Sequence, residues 1–172
     1  MLWREIRRRP IVQARSVHAL LSIRKGQLVR MPSTQPLEGH PELAERILDS
    51  VADAVIFADH SGTIVRWNRA SSALFGHSAE EAIGKSIDLI IPEHLRAAHW
   101  AGFDAAMTKG VMKLQGRPTV TRAVHKDGRR LYIEMTFAIV RGALDSEILG
   151  SVAMARDVTE RVEKERAARR SP

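Results

Sequence analysis

The chain has 172 residues, no cysteine and a formal charge of +7. That length suits one domain with tails and a core that needs no cross-links, and the missing cysteines exclude structural disulfides, thiolate zinc sites and thiol nucleophiles. Residues 1–30 hold eight basic side chains against the single acid Glu5, whereas the other 142 residues balance 19 basic against 19 acidic groups, so the body offers no electrostatic footprint for a phosphate backbone and no nucleic acid is expected on it.

Residues 1–41 read as a basic N-terminal arm and linker, closed by Pro32, Pro36 and Pro41. A flexible tail is the expectation for the arm. An amphipathic helix over residues 1–30, lying on anionic lipid or on a protein partner, is the functional alternative, and an Arg-rich, acid-poor start is also the composition of an organelle transit peptide. No apolar run approaches the roughly 18 residues that span a bilayer, and no cleavable signal is recognisable, so a soluble, cytoplasmic protein is expected.

From Glu42 the pattern becomes regular. Apolar residues at 43, 47, 48 and 51 have the spacing of a helix that lays one face on a partner. "DAVIFAD" and "GTIVRWN" predict two strands joined by a tight turn with Gly62 available for a positive φ. "RASSALFGHSAEEAIGKSIDLIIP" predicts short helices broken at Gly76 and Gly84, with Ser78 and Glu81 as a capping box ahead of Ala79. A longer helix is expected from Pro92 to about Thr108, stopped by Gly110. Three strand-like stretches follow: "VMKLQGRPTVTRAVH", "RRLYIEMTFAIV" and "EILGSVAMARDVT". The middle one alternates, with Leu131, Ile133, Met135, Phe137 and Ile139 on one side and Tyr132, Glu134, Thr136 and Ala138 on the other. Two strands, a group of helices and three strands predict an α+β domain, one antiparallel sheet with the helices on a single face. The charged stretch "DVTERVEKERAARRSP" predicts a terminal helix too short to form a coiled coil alone.

Over about residues 42–165 this order resembles the PAS family of sensory domains. "ADAVIFADHSGTIVRWNRASSALFGHSAEEAIGKSIDLIIPEHLR", with Asn68 ending the second strand, is similar to the family's first half. "VHKDGRRLYIEMTFAIV" and "GSVAMARDVTERVEKE" are similar to its second half. The resemblance implies a PAS fold over residues 42–158, a five-stranded antiparallel sheet with short helices packed on one face. The start of a C-terminal signalling helix follows at 159–172. Asp157, with Arg156 and Arg161, resembles the family's hinge into that helix.

Function is carried by a site rather than by a fold. On a helix from Pro92, the residues Leu95, Ala98, His99, Gly102, Phe103 and Ala106 follow one another at helical spacing, so His99 shares a stripe with apolar and small residues that should face the sheet. Ile133, Met135 and Met154 are expected on the sheet side of the same pocket, the methionines as apolar filler. "PEHLRAAH" resembles the segment that carries the proximal haem ligand in oxygen sensors of the FixL type, which implies His99 as an iron ligand, with Gly102 leaving room for a flat ring. The residues that face haem in those sensors are missing: the positions fall at Thr119 and Arg117, with Arg117 a conceivable substitute. Their absence favours a pocket-lining histidine over a haem ligand. The light-sensing branch of the family needs a cysteine, so FMN photochemistry is excluded. His60, His77, His94 and His125 show no metal-ligand spacing.

No phosphate-binding loop, nucleophile elbow or zinc motif is present, nor any kinase, cyclase or phosphodiesterase motif. The expectation is therefore a non-catalytic sensory module that binds a small ligand or cofactor in its core and relays the change to a partner or to its mate in a homodimer. The alternatives are a protein-interaction or dimerisation domain with a filled core, and a fragment of a larger sensor kinase or cyclase.

Overall fold

The computed structural model describes residues 21–24, 27–30, 41–114, 116–143 and 147–170, and the chain divides into two units, Met1–His40 and Pro41–Pro172. In the first, β1 (Leu21–Arg24) pairs antiparallel with β2 (Gln27–Arg30), Leu21 opposite Arg30 and Arg24 opposite Gln27. These paired strands lie in the segment for which the sequence suggested a tail or a helix. The rest of the arm and its proline linker lie outside the described residues.

The second unit opens with α1 (Pro41–Ser50), none of whose residues is buried. Its apolar residue Ile47 is 55% exposed while Leu43, Leu48 and Val51 are half-buried, so the face that the spacing predicts is only partly covered within this unit. Two strands follow, β3 (Ala54–Asp59) and β4 (Ile64–Trp67). Their turn is held by Asp59 Oδ1, which accepts from the Ser61 N–H at 2.9 Å and the Thr63 N–H at 3.0 Å. Gly62 in that turn has φ +79, and a Cβ there would stand 2.2 Å from the Trp100 ring. Both backbone angle and space therefore require glycine.

The helices come next: α2 (Arg69–Phe75), α3 (Ala79–Ala82), a 3₁₀ turn (Ile87–Leu89) and α4 (Glu93–Lys109). α3 starts on the capping box, with the Glu81 N–H on Ser78 Oγ and the Ser78 N–H on Glu81 Oε2. α4 is preceded by Pro92 and capped by Gly110. Asn68 joins three elements. Its Oδ1 accepts from the Val55 N–H (2.9 Å), the Ser71 N–H (2.9 Å) and the Ser71 hydroxyl (2.8 Å). Its Nδ2 donates to the carbonyls of Leu48 (2.8 Å) and Asp53 (3.0 Å). Every hydrogen-bonding direction of this buried amide is used.

The chain returns through β5 (Thr119–Val124), β6 (Arg130–Arg141) and β7 (Ile148–Asp157), and leaves by α5 (Thr159–Ala168). The sheet order is β4-β3-β7-β6-β5, every pair antiparallel. On the inner face Phe75, Ala82 and Ile90 from the helices pack against Ile56, Ile64, Leu131, Ile133, Ala153 and Ala155. The fold class is α+β, as the sequence indicates. The strand expected from Val111 begins only at Thr119, because Gly116 takes φ +75 and Pro118 supplies no N–H for a ladder. On the outer face Val120 and Met154 remain 46% and 42% exposed.

Candidate functional site

α4 does not close onto the sheet along its length: only Phe103 and Ala106 of its residues are buried. The gap beneath it is a cavity of about 510 Å³, within the range of small-molecule pockets. Its helical wall is the stripe Leu95, Ala98, His99, Gly102, Phe103 and Ala106, all at 3, 4 or 7 spacing on one helix. Opposite stand Thr119, Thr121 and Ala123 of β5, then Ile133, Met135 and Phe137 of β6, with Ser151 and Ala153 of β7 beyond them. Register explains the grouping. Thr121 faces Ile133 and Thr119 faces Met135, and residues opposite each other in a ladder share a face. Met112 and Leu114, from the irregular segment before β5, close one end. No Asp or Glu lines the cavity.

His99 is half-buried within this wall. Its ring lies edge-on to Trp100, with centroids 5.6 Å apart, and nearly parallel to Phe103 at 6.0 Å. Burial pushes its pKa below the ordinary imidazole value, and the carboxylates of Asp88 and Asp104 oppose that push without overcoming it. The imidazole is neutral at pH 7. Its Nδ1 is buried with no hydrogen-bond partner, a cost that a bound group or water would relieve. Trp100 beside it is fixed by its own Nε1–H, which donates to Asp88 Oδ1 at 2.9 Å.

Two residues expected at the pocket lie elsewhere. Met154 is 42% exposed on the outer face, in register with Val55 and Thr136. The two-residue period of β7 gives the inner face to Ala153 and Ala155. Arg117 is exposed in the turn before β5, its N–H bound to the Leu114 carbonyl at 2.8 Å. It does not line the cavity. Thr121, Ser151 and Ala153 were missed by the sequence reading, which placed only Thr119 across the pocket. Their signal is the alternation of β5 and β7, which has no phase until the ladders are known.

Haem tests the cavity more sharply. A neutral imidazole on an apolar wall fits axial ligation of iron, whereas a ligating histidine ordinarily donates its second N–H to a carboxylate or carbonyl, and no such partner meets His99 Nδ1. Across from it the lining includes the Thr119 and Thr121 hydroxyls with Lys113 and Arg122, but not Arg117. The residues present therefore supply one ligand and an apolar enclosure. Among the described residues no group of three His, Asp or Glu side chains could hold a metal ion by itself.

At the exit, Asp157 Oδ1 accepts from the Thr159 N–H at 2.8 Å, and Arg161 reaches Glu134 at 2.8 Å. Tyr132, which alternation placed on the polar side, is only 7% exposed because α5 covers it. The Arg166 guanidinium stands 4.7 Å over its ring and donates to its hydroxyl. Thr159 Oγ1 accepts from the Tyr132 N–H at 2.9 Å. Nearby, Arg156 grips Asp53 through two bonds of 2.6 and 2.8 Å, which hold the Asp53 carboxyl below the usual carboxylate range.

Residues 42–158 match the family model of the PAS fold. An uncharacterized protein of Azorhizobium caulinodans is 36% identical over 131 residues, covering 75% of this chain and 17% of that protein. The cell-division control histidine kinase PdhS of Brucella ovis is 42% identical over 65 residues, covering 37% of this chain and 6% of the kinase. Among solved structures, the PAS domain of a protein from Colwellia psychrerythraea superposes with a TM-score of 0.60 at 27% identity, over 69% of this chain and 97% of that one. The chain thus spans less than a fifth of the length of these curated relatives. No helix among the described residues is long and apolar enough to cross a membrane. With the sheet order, the helices on one face and the match over residues 42–158 in agreement, the chain belongs to the PAS family.

Proposed function

We propose that this chain is a non-catalytic sensory module that takes a small, largely apolar ligand between α4 and the inner face of the sheet, and passes the change through α5 to a partner or to a second copy. The observation that carries the reading is the cavity of about 510 Å³, walled by apolar side chains and left open under a helix that buries only two residues. Similarity to the PdhS histidine kinase supports a sensory role. β6 links the two ends of the relay, since Ile133 and Met135 line the cavity while Tyr132 and Glu134 hold α5. Occupancy biases α5 by favouring one of two packings of that strand. Titration with a neutral apolar dye such as Nile red tests the reading. Saturable one-to-one binding that weakens in Gly102→Leu is expected, and dye that binds no better than to an unrelated folded protein would refute it.

A second reading is favoured by one observation, the His99 imidazole set among apolar and small residues of the α4 stripe on the cavity wall. Here the ligand would be haem, its iron held by His99 and its ring enclosed by the remaining stripe residues. Haem would supply an iron centre that binds diatomic gases. Added haemin should then give a Soret band that disappears in His99→Ala. A chain that takes up no haemin, or does so equally without His99, removes this reading and leaves the first intact.

A further inference from the structure

We infer that the ligand of the large cavity is an amphiphile, an apolar body carrying a carboxylate, whose charged end lies between Arg122 of β5 and Arg166 of α5. This rests on the reading that the cavity takes a ligand, and it names the class. A second cleft of about 400 Å³ lies against α5, lined by Tyr132, Val162 and Arg166 together with Leu95, Val120, Thr121 and Arg122. Those last four also line the large cavity, so the two spaces meet at β5, the edge strand of the sheet. Their chemistry differs. The large cavity is predominantly apolar, while the cleft has two guanidinium groups and no carboxylate among its lining residues.

The two arginines flank the same aromatic ring. Arg122 stands opposite Tyr132 in the β5–β6 register, hence on its face of the sheet, and Arg166 lies over the ring from the α5 side. Arg166 is held by the Tyr132 hydroxyl. The Arg122 guanidinium has no hydrogen-bond or ion-pair partner among the described residues. Each presents a planar fork suited to an oxyanion. Glu134 is engaged on Arg161 and Glu160 on Lys164. A carboxylate received here would join β5 to α5 directly, so the ligand itself would tie the sensory cavity to the exit helix.

Calorimetric titration of the full chain with decanoate and with decanol, two probes of equal chain length, separates the claims. Decanoate is expected to bind about tenfold tighter, a difference of about 1.4 kcal/mol. The preference should fall to near unity in Arg122→Gln, which breaks no hydrogen bond or ion pair of the free protein, with decanol affinity unchanged; Arg122→Lys should keep part of it. Arg166→Gln should lower it as well. Equal affinity of the two probes, or a preference that survives Arg122→Gln, overturns the inference while decanol binding upholds the sensory reading. If neither probe binds, both fall.

Discussion

At the scale of single residues, His99 and Gly102 carry the account of the cavity in opposite ways. His99 is a neutral base whose protonation the fold resists, because its pKa is pushed below the imidazole value by burial. Between the two pKa values the unfolded chain holds more protons, so stability is full above the unfolded value near 6.5 and declines as pH falls through it. The thermal midpoint should drop as pH falls through about 6.5. The drop should be shallower in His99→Leu, even though His77, also shifted downward by burial, remains in both proteins. An identical pH profile for the two would contradict the environment assigned to His99. Gly102 leaves open space where a Cβ would stand. Gly102→Leu should therefore raise the stability of the free protein by up to about 1 kcal/mol through helix propensity, while filling the cavity and weakening ligand binding. Denaturant unfolding and dye titration of the same sample read both effects.

At the scale of elements, two anchors divide the labour. Asn68 holds the end of α1, the start of β3 and the start of α2 with one amide. Asn68→Ala strands the buried Val55 and Ser71 N–H groups, so a loss of about 2–4 kcal/mol in urea unfolding is expected. The second anchor holds α5, through Tyr132, Thr159 and Arg166. Arg166→Gln should cost about 1 kcal/mol or less in global stability. It should nevertheless speed amide exchange in α5 specifically, since local opening there breaks few buried contacts. Uniform acceleration over the sheet would show that the latch belongs to the core. The strands and helices were legible because their local signals agree: the Ser78–Glu81 box, the glycine stop of α4 and the alternation of β6 all point one way. The β5 start was not legible, since the residues before Pro118 carry strand propensity that the turn at Gly116 overrides.

At the scale of the whole molecule, topology decides what local pattern leaves open. The helical stripe of α4 was readable because a helix has one face and His99 shares it with five other cavity residues. The sheet side was readable only for β6, whose alternation is clean. Met154 was misplaced because the phase of β7 is set by its pairing with β3, where Gly150 faces Asp59. A Cβ at Gly150 would stand 2.1 Å from the Ala58 carbonyl. Tyr132 is buried by a helix nearly thirty residues further along, a contact no window of sequence contains. Ile47 on α1, Val120 on β5 and Met154 on β7 are exposed apolar side chains. The central claim is that ligand under α4 is felt in α5, and hydrogen exchange with and without saturating decanol tests it most directly. The account predicts slower exchange in residues 93–109 together with a changed rate in residues 159–168. Slower exchange confined to α4, with α5 unaltered, would contradict it.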